Sequence, residues 1–210
     1  NIGADNFRTN AFKSNYHSLQ LTVRKTFSKG LGFTANYAFS KALDTLSDLF
    51  NPRSVSVTDS MNPNYDRGPA DFDMKHRFVG TPTYELPFFK SIRWAGGWTV
   101  NTIVSLQSGV PFTLYNNSSG YDLNKDGRNS DRVVPVSGSP MSTVTSKSPA
   151  DGYFDTTKWA RYACPSTVNQ GLWCNAPIGR NSMYGPAYQN IDFSFSKKFK
   201  VTERVALKLQ

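Results

Sequence analysis

The chain has 210 residues and a formal net charge of +9, with 15 Gly, 12 Pro, 10 Tyr and 15 Phe. That length can bury a core as one domain, the Gly, Pro and aromatic content points to a turn-rich all-β architecture, and no run approaches the roughly 18 apolar residues of a membrane helix. The Lys and Arg residues are scattered and match no nucleic-acid-binding motif, which argues against a nucleic-acid partner.

Asn1–Asn15 is polar and reads as a loop leading into the first strand. Over 16–27, Leu19, Leu21 and Val23 alternate with Ser18, Gln20, Thr22 and Arg24. Successive side chains on a strand point to opposite faces, so a period of two gives one apolar and one polar surface. Ser28–Gly32 is a tight connection whose two glycines can take φ > 0. The return strand over 33–43 sets Phe33, Ala35, Tyr37 and Phe39 against Thr34, Asn36, Ala38 and Ser40. A long polar excursion over about 45–75 follows, with Pro steps that mark turns.

Two further strands, 76–87 and 98–108, flank a turn over 89–97 that carries Trp94, Gly96 and Gly97. Phe78, Tyr84, Leu86 and Phe88 alternate with polar residues before it, and Trp98, Val100, Val104 and Leu106 do so after it. The aromatics near the turn resemble an interfacial girdle. The segment over about 116–188 reads as irregular and rich in Ser, Gly, Asn and Pro; a structureless stretch this long counts against a compact soluble domain. Ile191, Phe193 and Phe195 then mark a strand over 189–199, and Val205, Leu207 and Leu209 mark another over 204–210. The chain begins at Asn1 and stops at Gln210 within an alternating run, and so reads as an interior piece of a longer protein.

The connections run short, long, short, very long, short. Membrane barrels have short periplasmic turns and longer extracellular loops. A soluble sandwich, which alternates equally well, has no reason to put all its length at one end. The expectation is an all-β, antiparallel up-and-down transmembrane β-barrel in a bacterial outer membrane, with the long loops outside.

Four blocks carry a family resemblance: SNYHSLQLTVRKTFSKGLGFTANYAFSKALD (Ser14–Asp44), DRGPADFDMKHRFVGTPTYELPFF (Asp66–Phe89), GGWTVNTIVSLQSGVPFTL (Gly96–Leu114) and GRNSMYGPAYQNIDFSFSKKFKVTERVAL (Gly179–Leu207). Together they resemble the C-terminal barrel of the Oar-like, acidobacterial-type TonB-dependent outer-membrane receptors, which carry a carboxypeptidase-regulatory-like domain and a plug. The resemblance implies a barrel of about 22 strands, of which this would be a six-strand fragment, since plugged transporters have that count. Plug, TonB box and terminal barrel strand are not among these residues.

Three sets of side chains are candidate sites. Asp122, Asn124 and Asp126, with Gly127 following, match the start of a calcium loop. Val133 stands where an EF-hand needs a bidentate Glu, so Asp131 would have to close the site; an Asx-rich turn without metal is the rival. Cys164 and Cys174 are expected to form a disulfide outside the cell, worth about 2–3 kcal/mol for so short a loop; neither His17 nor His76 lies in that loop to favour zinc. Asp66, Arg67, Asp71, Asp73, His76 and Arg77, with Lys75, form a charged cluster that is read as an ion network at the extracellular rim or a ligand site. No catalytic motif pairs a nucleophile with a base, so no enzyme activity is expected; no cofactor is required, and a structural calcium is the one candidate.

The leading expectation is a receptor that binds a scarce small solute or oligosaccharide and imports it. Its energy would come from the TonB complex through the plug, and its surroundings would be outer-membrane lipid and lipopolysaccharide. A surface adhesin or structural barrel without transport is the second reading. The third is a secreted β module that binds carbohydrate through Trp159 and Trp173.

Overall fold

The computed structural model describes residues 10–47, 57–59, 62–88, 96–116, 120–125, 127, 131–137, 154–165, 174–200 and 205–210. Two compact units emerge. One gathers Asn1–Tyr16, Ala42–Asp73 and Val110–Gly185, and the other His17–Lys41, Met74–Gly109 and Pro186–Gln210.

Six strands carry the second unit: β1 (Ser14–Ser28), β2 (Leu31–Asp44), β3 (His76–Glu85), β4 (Trp98–Gln107), β5 (Tyr188–Lys200) and β6 (Ala206–Leu209). They pair in sequence order, with β1 and β6 at the two edges of an open sheet. From β2 through β6 each neighbouring pair is antiparallel. All six lie where the alternation places them.

Register converts that alternation into two faces, because directly opposed residues share a face. Tyr37 opposes Phe78, Phe78 opposes Leu106, and Val104 opposes Ile191. Phe193, Phe195 and Leu21 are 65%, 56% and 52% exposed, so among the described residues no protein core covers this face. Tyr37 and Val104, on the same face, are half-buried. On the opposite face Thr83 Oγ1 donates to Asn101 Oδ1 at 3.2 Å, and Asn101 Nδ2 donates to Ser196 Oγ at 3.3 Å. A second pair, Thr22 Oγ1 to Asn36 Oδ1 at 3.0 Å, links β1 to β2. One interruption stands out. Ile103 opposes Asp192 and so lies on the polar face, while Thr102 opposes Phe193 on the apolar one.

At the β1–β2 hairpin the two central residues, Lys29 (φ 52) and Gly30 (φ 80), both take positive φ. A type I′ turn demands this, and its twist matches that of the flanking strands. Gly32 is not a turn residue as expected. It lies within β2, where a Cβ would come 3.0 Å from Phe27 Cα, so its role is close approach.

The first unit corrects the expectation of a structureless segment. Pro111–Phe112 pairs with Met183–Tyr184, Tyr115–Asn116 with Asp131–Arg132, and Val134–Pro135 with Trp159–Ala160. Short 3-10 turns form at Pro63–Asp66 and Thr156–Lys158, the latter capped by Asp155, whose side chain accepts from Thr157 N. Those two bonds from Thr157, through its hydroxyl and backbone N–H, hold the Asp155 carboxyl below its usual range. Two-residue ladders bury little apolar surface, so other interactions must hold this unit together.

Candidate functional site

Buried arginines hold the loop unit. Arg132 is 1% exposed and its guanidinium pairs with Asp66. It also donates to Ile178 O at 3.0 Å and lies over the Tyr65 ring, 4.4 Å from its centroid. Asp66 in turn accepts from the Thr58 backbone N–H at 2.6 Å and from its hydroxyl at 2.8 Å. A charge taken out of water is tolerated only when it is paired and its remaining hydrogen-bonding groups are satisfied. Among the described residues, Arg132 Nε and Trp159 Nε1 are buried donors left without a partner.

Arg180 makes the second cluster. It pairs with Asp44 at the end of β2, and its Nη1 reaches Asp71 at 3.3 Å and Ser47 Oγ at 3.0 Å. Its Nε donates to Asp66 O at 2.9 Å. Next to it, Asn181 donates to Pro69 O at 2.8 Å and to Asp71 Oδ1 at 2.6 Å. Arg180 and Asn181 from the end of the second long connection are thereby fastened to the first. Planar forked donors suit this task, because one guanidinium can serve several acceptors at once.

Burial raises the Tyr65 phenol above its ordinary value of 10.0, and the charge of Arg132 opposes that rise. Its hydroxyl donates to Ala176 O at 2.5 Å. Tyr121 is raised in the same direction, again chiefly by burial.

The expected rim cluster does not form one network. Asp66, Asp71 and Asp73 go to separate partners, Asp73 accepting from Ala42 N at 2.7 Å. Arg67 donates to Asn15 Oδ1 at 2.9 Å. His76 meets Tyr37 Oη at 2.8 Å, and Arg77 is exposed opposite Ala38 and Gln107. Among the described residues no ion pair links Arg67, His76 or Arg77 to the three carboxylates. The cations that do pair with them, Arg132 and Arg180, went unnoticed in sequence, because each lies far along the chain from its partner.

Within the candidate calcium loop, Asp131 accepts from Leu123 N at 2.5 Å and Asp122 from Gly127 N at 3.0 Å. Asn124 is buried and donates to Thr58 O at 2.8 Å. Asp131 and Asp122 thus accept from backbone N–H groups eight and five positions away, and Asn124 ties the loop to Thr58. Asp126 lies outside the described residues, as do Trp94 and Trp173. Cys164 and Cys174 are bonded, their Cα atoms 6.1 Å apart. Trp159 is half-buried in its short ladder.

An antiparallel ladder paired in sequence order, with one bare apolar face, one hydrogen-bonded polar face and all its length in alternate connections, is the wall of a membrane-spanning β-barrel. A family model described as an outer membrane beta barrel domain matches residues 1–210, and the chain belongs to that family. Its place is the bacterial outer membrane. Comparisons with curated proteins and with solved structures gave no match.

Proposed function

We propose that this chain is part of a TonB-dependent receptor of the Oar-like kind, which binds a scarce solute at the cell surface and imports it. The observation that carries the reading is the joining of both long connections into one folded unit by Arg132 and Arg180. Loops held together in this way can present fixed groups to a solute. The resemblance of the Asp66–Phe89 and Gly179–Leu207 blocks to that receptor group supports the same reading. The protein on this account performs no catalysis, and its energy comes from the inner membrane by way of a plug encoded outside this sequence.

The test is a photo-crosslinking assay in cells between the full-length protein and TonB, with an adhesin outcome as the alternative. A TonB adduct lost on deleting the N-terminal segment of the full protein is expected. Surface display with no TonB adduct would overturn transport in favour of adhesion.

A further inference from the structure

A basic and aromatic group lies at one end of the apolar face. Phe39 opposes His76, so both share the apolar face with Tyr37, and Lys41 lies two residues beyond Phe39 on that same face. Lys41 therefore stands diagonal to His76, within reach of a long side chain. Both are exposed, and Lys41 makes no hydrogen bond or ion pair among the described residues.

His76 is positioned rather than loose. Its ring packs against Phe39 with centroids 5.2 Å apart, and Tyr37 Oη sits 2.8 Å from Nδ1. The other ring nitrogen, Nε2, makes no hydrogen bond among the described residues, and the ring shares its face of the sheet with the unpaired Lys41 ammonium.

The depth fits a headgroup. Leu31 and Lys41 lie on one face of β2, ten residues apart. At about 3.3 Å per residue and a tilt of roughly 40°, this spans about 25 Å along the membrane normal, the height of a barrel's apolar band. A cation is costly at the middle of that band and cheap at its border. Lys41 lies at the end from which the long connection over 45–75 leaves, which is the extracellular end.

We propose that Lys41 and His76, with Tyr37 as a positioning residue, bind a phosphate group of an outer-leaflet glycolipid whose acyl chains lie along the apolar face below. This site is independent of whether the protein transports a solute. The probe is bis-phosphorylated lipid A, added to the full-length, delipidated protein in detergent and followed by native mass spectrometry. Retention should fall roughly tenfold when the lipid is dephosphorylated and by a similar factor in the Lys41→Gln/His76→Gln double variant, the loss expected for removing a charge-assisted contact. Lys41→Arg should restore binding, with heat-modifiable gel mobility showing that each variant is folded. Equal retention of the dephosphorylated lipid, or an unchanged double variant, would overturn the proposal. Complete competition by inorganic phosphate would overturn it too, since the site would then recognise the ion and not the lipid.

Discussion

Gly68 lies against the backbone carbonyl of Arg180 so closely that a Cβ at Gly68 would fall under 3.0 Å from that oxygen, with Arg180 C next at 3.2 Å. The obstacle is main chain, which cannot swing aside as a side chain would. The contact also joins two of the four blocks that carry the family resemblance, at DRGPADFD and GRNSMYG, which are thus each other's docking partners. Gly68→Ala should destabilise the loop unit by about 1–3 kcal/mol through overpacking. Protease cleavage within the long connections of the intact protein measures it, and unchanged cleavage contradicts the packing.

Arg180→Met leaves Asp44 buried without its cation. Removing one member of a buried pair costs about 3–5 kcal/mol. The expected result is release of the loop unit with the sheet intact, seen as new protease sites while heat-modifiable mobility is kept. Arg180→Lys should rescue only in part, since an ammonium cannot reach Asp44, Asp71, Ser47 and Asp66 O together.

Tyr65 ties loop stability to alkaline pH. Its phenol is raised in the folded unit, so between its unfolded and folded values the unfolded chain has lost the proton and the folded one has not. Stability from this group is fully present below about pH 10, the usual phenol value, and is lost as pH rises through the folded value. Phenolate absorbance of wild type against Tyr65→Phe should show one late-titrating group missing in the variant. Identical titration curves would contradict the burial.

The six strands were legible because membrane walls write burial as a period of two, visible in Leu19, Leu21 and Val23 or in Ile191, Phe193 and Phe195. Pairing in sequence order followed from the short turns. Thr102 and Ile103 broke the alternation without breaking the strand, as eight other residues of β4 held its register. The loop unit was illegible for a physical reason. Its stability rests on Arg132–Asp66 and Arg180–Asp44, pairs separated by 66 and 136 residues. Such contacts have no period, and the carboxylates could be noticed in sequence but not matched to their arginines. The charges of the Asp66–Arg77 run are adjacent in the chain and so suggest one network, yet His76 and Arg77 belong to β3 and the three carboxylates to the segment before it.

Asp131 distinguishes a hydrogen-bonded turn from a metal site. Its carboxylate accepts the Leu123 N–H, so Asp131→Ala should cost about 1–3 kcal/mol for the orphaned donor. Asp131→Asn keeps an acceptor oxygen and should cost much less. A calcium site would make Asn nearly as harmful as Ala, and a chelator would reproduce the loss. Urea-dependent protease sensitivity of the loop unit, with and without calcium, separates the two.

One face of this sheet meets lipid. Single nitroxide labels placed in turn at positions 191 to 196 of the full-length protein in bilayers report it directly, through collision with molecular oxygen against a water-soluble nickel complex. Labels replacing Ile191, Phe193 and Phe195 should favour oxygen, and those replacing Asp192, Ser194 and Ser196 should favour nickel or be shielded from both. The swing should repeat every second residue, since lipid-facing and lumen-facing positions alternate. Equal access of nickel to all six positions, or a swing of the opposite phase, would contradict the account.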